Sequence, residues 1–243
     1  CNSLVLQQWQ HKVLSSLIET AKAEPVLFVV RRHNPENMHG LFRKFLRYPW
    51  TKFLFRQYYR YLFRPESFRP VSVGSMAAGL PVIYCKPEIR KKYSEYFNEA
   101  DLQTIRDHRP DFILKFGFGI VRGSILQAAP YGIWSYHHGD EQKYRGVPPG
   151  FNEILFNDRI TGSVLQRLTE TLDGGIILRK GYFPTISHSW KANLDQAIAL
   201  SVRWPADVCN EILAQHTFPS EDVSGMTRAP IFREPTNFTF ITF

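Results

Sequence analysis

The sequence predicts an α/β fold built on a doubly wound, mostly parallel sheet. Three observations carry this prediction. Short apolar runs of strand length alternate with amphipathic stretches of helical period, the order that puts crossover helices between parallel strands. At 243 residues the chain is long enough to bury one large core. Its composition, 44% hydrophobic and 21% charged, is that of a globular protein and not of a disordered one.

Each element follows from its own pattern. Residues 4–20 carry Leu6, Trp9, Val13, Leu14, Leu17 and Ile18 at close to helical spacing, and PVLFVV at 25–30 is a short buried strand. PVIYC at 81–85 is a second strand, and residues 89–107 read as an amphipathic helix that turns Tyr93, Phe97, Leu102 and Ile105 inward. DFILKFGF at 111–118 and GIWSY at 132–136 are further strands, separated by a short helix near 124–129. The runs at 161–169 and 174–183 lie too close together for an intervening helix, so they are expected to pair antiparallel. A long helix is expected from 190 to 215, kinked at Pro205. The architecture these imply is a Rossmann-like sheet. The chain opens at Cys1 directly in a helix-like stretch, so a first strand missing from this sequence is expected. No internal repeat or low-complexity linker interrupts it, and the economical division is one domain over 1–216 followed by a tail at 217–243.

Composition narrows the function classes. No apolar run reaches the roughly 18–20 residues that cross a bilayer, and no secretory signal pattern opens the chain, which makes the cytoplasm the expected compartment. Cys1, Cys85 and Cys209 are odd in number and far apart, so they read as reduced thiols and not as a disulfide framework or zinc ribbon. A net charge of +8 favours a polyanionic partner, whether nucleic acid, anionic lipid or a phosphorylated small molecule. Much of that charge falls in the stretch 41–69, where Arg43, Lys44, Arg47, Lys52, Arg56, Arg60 and Arg64 alternate with aromatics every three to four residues. This stretch reads either as a solvated amphipathic helix face or as a surface for a phosphorylated ligand, for an anionic membrane, or for RNA by stacking and phosphate contacts.

The densest chemistry lies in SYHHGDEQKYRG, residues 135–146. It leaves a predicted strand at its carboxyl end, where open α/β sheets bind ligands. Strand alternation puts Ser135 and His137 on one face and Tyr136 and His138 on the other. Divergent rings make a metal site of His137, His138, Asp140 and Glu141 awkward, and a polar surface turn is the plain alternative.

The wider pattern resembles a known family. A strand followed by x-H-x, a loop ending in YRG-x-x-P at 144–149, TG at 161–162 and LDGG-x-I-L at 172–178 is similar to the 10-formyltetrahydrofolate-dependent formyltransferases, which act on glycinamide ribonucleotide, methionyl-tRNA or amino sugars. RPDFIL at 109–114 resembles the strand that enters their folate site, and the similarity spans roughly 109–181. The resemblance implies that His137 and Asp173 occupy the catalytic histidine and aspartate positions. Ser135 stands where the family has its catalytic asparagine, and Gly139-Asp140-Glu141-Gln142 replace Ser-Leu-Leu-Pro. It also implies that Phe118, Gly119, Ile120 and Val121 cradle the pterin of 10-formyltetrahydrofolate, the formyl donor. The expected activity is N-formyl transfer to a primary amine on a small acceptor, phosphorylated or not, such as an amino sugar or nucleotide sugar. The tRNA-binding domain of the methionyl-tRNA members has no counterpart in this sequence, and nucleic acid is not the expected partner. A folate-binding module that has lost catalysis and a formyl-folate hydrolase are the alternatives.

Overall fold

The expected alternation of strands and helices is realised, with more and shorter strands than the periodicity suggests. The computed structural model describes residues 1–32, 50–91, 93–171, 175–215, 218, 221–222 and 229–243. In chain order the first elements are β1 (Val5–Gln7), α1 (Gln8–Thr20), β2 (Phe28–Arg31), α2 (Phe53–Gln57), β3 (Pro70–Ser72), β4 (Val82–Cys85), β5 (Glu88–Arg90), β6 (Ser94–Tyr96) and α3 (Glu99–Asp107). There follow β7 (Ile113–Lys115), β8 (Ile120–Arg122), β9 (Ile133–His137), β10 (Arg145–Gly146), α4 (Asn152–Leu155), β11 (Ile160–Arg167) and β12 (Ile176–Pro184). The last are α5 (Trp190–Ser201), α6 (Trp204–Gln215), β13 (Glu221–Asp222), β14 (Ile231–Phe232) and α7 (Asn237–Ile241).

The largest sheet has the order β13-β12-β11-β9-β7. Its β7 and β9 pair parallel, while β9, β11, β12 and β13 pair antiparallel in turn. Parallel pairing recurs in β2 with β4 and in β6 with β8. The expected antiparallel pairing of the runs near 161–169 and 174–183 is found in β11 and β12. The two faces of β9 go to different cores. Trp134 and Tyr136 meet α1, α5 and α6 through Trp9, Leu194 and Val208. Ile133 points the other way, into a cluster with Ile113, Val121, Ile125, Leu102 and Ile105. Full burial of an apolar side chain such as Leu165 or Ile105 contributes on the order of 2 kcal/mol, so this two-sided packing fixes the register of β9.

Three boundaries differ from the sequence reading. The first helix begins at Gln8 because Val5–Gln7 pairs with β3, and the Gln10 side chain accepts from the Gln7 amide at 2.9 Å to cap it. The stretch 89–107 splits into β5, β6 and α3, because strand pairing of 94–96 with β8 overrides its helical period and Asn98 caps the helix by accepting from the Asp101 amide. The long C-terminal helix is two helices, with Pro205 in the first turn of α6, where its missing N–H leaves no bond unmade.

Of the basic stretch, Arg43, Lys44 and Arg47 lie outside the described residues. Residues 50–68 form short 3-10, α and π turns, not one continuous helix. Phe55 and Phe63 are buried, with Phe63 stacked on Trp190 at 3.8 Å, whereas Trp50, Phe53, Tyr59 and Tyr61 stay exposed beside Arg60 and Arg64, and Arg56 pairs with Glu234 at 2.6 Å. Residues 229–243, in the expected tail, add β14 beside β10 and pack Phe240 on Phe55 and Tyr58.

Candidate functional site

Ser135 and His137 lie on one face at the carboxyl end of β9. Ser135 is buried between Lys115 of β7 and Gln166 of β11, its register partners, and His137 is half-buried opposite Val164. The His137 Nε2 faces the Tyr144 carbonyl oxygen at 3.2 Å, a hydrogen bond that requires the proton on Nε2. His138 turns to the other face. It stacks on Tyr136, meets the edge of Trp9 and shares a 3.0 Å hydrogen bond between Nδ1 and the Ser163 hydroxyl. Burial, and then the neighbouring His137, push His138 down to about 3, so its ring is neutral at physiological pH. The two histidines therefore diverge, as alternation requires.

The loop after His137 is held by charge. Lys180 of β12 donates to Asp140 Oδ1 at 3.0 Å and to Glu141 Oε1 at 2.9 Å, and both carboxylates are buried. Burial alone would lower the Lys180 amine. Hydrogen bonds to Tyr182, Glu141 and Asp140 outweigh it and hold the amine above the ordinary lysine range. Gly162 of β11 lets the loop pass close, since a Cβ there would stand 2.8 Å from the Asp140 backbone. At the loop's end Gly146 has φ +93° and would bring a Cβ to 2.2 Å from the Phe232 carbonyl, so the Arg145-Gly146 pair is fixed by its pairing with β14.

Behind the loop sits Glu153 of α4, 1% exposed, whose Oε1 finds no hydrogen-bond partner among the described residues. Burial first, with Asp158 and Asp140 adding repulsion, raises its carboxyl from the ordinary 4.5 to about 7. Between those values the folded chain keeps a proton that the unfolded chain has released, so stability falls as pH rises through this window. Glu153→Gln is expected to remove the fall and to gain on the order of 3 kcal/mol at pH 8. Urea unfolding at pH 5, 6.5 and 8 measures this. Parallel stability curves for the variant and the parent chain would show that Glu153 does not titrate there.

The segment 118–121 reaches the same side of the sheet as Ser135. Val121 is buried with Ile113 and Ile133, and Phe118 packs on that cluster and on Phe97. Its backbone is partly engaged: the Phe118 amide donates to Asn2 Oδ1 at 3.1 Å, the Gly119 amide donates to Glu95 Oε2 at 2.9 Å, and Ile120 and Val121 pair with β6. A cavity of about 270 Å³ opens here between β2 and β7, lined by Leu27, Val29, Ile113, Lys115, Phe118 and Val121 among others.

No protein-family model matches the chain. The methionyl-tRNA formyltransferase of Nitratidesulfovibrio vulgaris (strain ATCC 29579 / Hildenborough) is 30% identical over 118 residues, which cover 47% of this chain and 33% of that protein. That of Acidobacterium capsulatum is 34% identical over 110 residues, covering 45% and 33%. The chain thus spans about a third of the length of the curated relatives it matches. Among solved structures, glycinamide ribonucleotide transformylase 1 from Symbiobacterium toebii superposes with a TM-score of 0.55 at 14% identity, covering 96% of this chain and 90% of that one. Phosphoribosylglycinamide formyltransferase from Bacillus halodurans gives 0.56 at 15%, covering 86% and 92%. The chain has the fold of the formyltransferases and resembles methionyl-tRNA formyltransferases in sequence over about half its length.

Strand alternation in β9 puts Ser135 and His137 on one face, and Phe118 and Val121 pack with Ile113 and Ile133 on that side of the sheet. Asp173 lies outside the described residues. The sequence reading passed over Lys115, Lys180, Glu153 and Glu95. A signal for the first was present: Lys115 follows Ile113 at the inward spacing of an otherwise apolar strand, where a charge is out of place. Lys180 and Glu153 gave no local signal, because their partners come from distant segments.

Proposed function

We propose that this chain transfers a formyl group from 10-formyltetrahydrofolate to a primary amine, on an amino sugar or nucleotide sugar. The observation that carries the reading is His137 beside Ser135 at the carboxyl end of β9, in a domain whose fold and motif order are those of formyltransferases. The residues present suit a folate: a mainly apolar cavity has Phe118 and Val121 on its wall and reaches Lys115, the strand neighbour of Ser135. When bound, the donor supplies an activated formyl carbon. The Nε2 proton of His137, held here by the Tyr144 carbonyl, would turn to a formyl oxygen gaining negative charge. Ser135 offers one hydroxyl hydrogen to the same oxygen. Asp173, by its motif position, orients His137 and takes part in moving the proton that the attacking amine sheds. The excess positive charge supports an acceptor that carries phosphate, as a nucleotide sugar does.

The test offers 10-formyltetrahydrofolate with a nucleotide-linked amino sugar, glycinamide ribonucleotide or methionyl-tRNA in parallel, and reads the formyl mass increment on each. Uptake by the amino sugar is expected, and Asp173→Ala is expected to abolish it. Uptake by another acceptor alone overturns the acceptor class. Formate release without any uptake identifies a hydrolase, and inertness toward the donor overturns the whole reading.

A further inference from the structure

The replacement of the family asparagine by Ser135 leaves the site short of one donor, and the neighbouring strand holds a group that can supply it. Lys115 ends β7, and its Cα is the register partner of Ser135 in the parallel pairing of β7 with β9. Directly paired residues of adjacent strands project from the same face, about 4.8 Å apart. Lys115 thus stands beside Ser135 on the face that carries His137. It lines the cavity together with Phe118 and Val121. It is half-buried, and among the described residues its ammonium makes no hydrogen bond or ion pair. Glu95, whose charge acts on Lys115, is already engaged by the Arg31 guanidinium at 2.5 Å and by the Gly119 amide at 2.9 Å. An ammonium kept from water without a partner is costly, and such groups gather where a ligand supplies the missing charge.

We propose that Lys115 is a catalytic residue that donates to the formyl oxygen in the transition state, in the place left by the asparagine. This rests on the formyl-transfer reading above. In the reaction the acceptor nitrogen forms a bond to the formyl carbon while the bond from that carbon to the folate N10 breaks. The acceptor nitrogen loses one proton and N10 gains one, and negative charge rises and falls on the formyl oxygen between these events. Lys115 stays protonated throughout and meets that charge from the Ser135 side, opposite His137. Burial, reinforced by Arg31 and resisted by Glu95, lowers the Lys115 amine below the ordinary lysine range, so its protonated form is lost at a lower pH than for a solvated lysine.

The experiment measures tetrahydrofolate release from 10-formyltetrahydrofolate, with whichever of the three acceptors takes up formyl, or with water where none does. Lys115→Met is expected to lower kcat by about 100-fold, with KM for the donor changed by less than about twofold, and to remove the alkaline fall of the kcat profile. Lys115→Arg should retain more activity, and Ser135→Asn placed in the Lys115→Met background should recover at least about tenfold by restoring a carboxamide donor. A merely structural lysine would not be rescued from the neighbouring strand. His137→Ala, measured alongside, separates the two claims. Near-parental kcat in Lys115→Met with a dead His137→Ala overturns the role of Lys115 alone, as does a loss in Lys115→Met that neither Arg nor Ser135→Asn repairs. A parent chain that releases no tetrahydrofolate overturns both.

Discussion

His137→Ala is expected to lower kcat for formyl transfer by about 1,000-fold while reduced-folate affinity stays within about twofold of the parent chain. The ring sits at the end of β9, held between the strand pairing of its backbone to Val164 and the contact of Nε2 with the Tyr144 carbonyl. Neither feature belongs to the apolar wall formed by Phe118 and Val121, so removing the ring leaves the surface proposed for the donor in place. The ring is placed to give a proton, and proton donation by a positioned side chain contributes about 10²–10⁴ in rate, felt in the transition state and not in the ground state. The loss should therefore appear in kcat with KM nearly unchanged. Burst or single-turnover rates with 10-formyltetrahydrofolate, beside equilibrium titration with a reduced folate, distinguish the two. A variant that turns over within about threefold of the parent removes His137 from the chemistry. A variant that loses folate affinity in proportion to its rate makes His137 a binding residue.

What the sequence disclosed here, and what it withheld, follows from the range of the forces involved. Strand alternation is a local property, so the split of Ser135 and His137 from Tyr136 and His138 could be read from five residues, and the packing of Tyr136 and His138 on Trp9 agrees with it. The glycine at 146 was legible through its motif, and its reason, the Phe232 carbonyl lying against its Cα, comes from 86 positions down the chain and was not. The same distance effect misled the helix predicted over 89–107: a period set by side chains lost to pairing of Ser94–Tyr96 with a strand that arrives after α3. Charged residues were the hardest to place. Asp140 and Glu141 looked like a solvated turn because their partner, Lys180, lies on β12, two strands away from β9, and only the sheet order brings it near. The family resemblance marked this spot as a departure, two acids where leucines are usual, without saying what made the departure tolerable.

The clamp that makes it tolerable should also be its weak point. Lys180→Met is expected to destabilise the chain by about 3 kcal/mol, because deleting one partner of a buried ion pair leaves the carboxylates charged without the ammonium that faces them. Here two carboxylates, on side chains 9% and 6% exposed, share one ammonium on a side chain 18% exposed, so solvent screens the loss very little. For a chain of this size the fall corresponds to about 10 °C in Tm. The Asp140→Leu/Glu141→Leu/Lys180→Met triple variant should recover most of it, since a buried ion cluster replaced whole by apolar groups of similar volume is often neutral or stabilising. Recovery would assign the cost to the orphaned carboxylates and not to lost packing of the lysine stem. The loop also carries Tyr144, whose carbonyl accepts from His137, so kcat should fall in Lys180→Met and return with stability in the triple variant. A Tm for Lys180→Met within about 2 °C of the parent would mean that the three charges are solvated in solution and do not hold the loop. A triple variant no more stable than the single one would mean that the backbone of residues 139–142, where Gly162 passes within contact of Asp140, depends on the charges themselves.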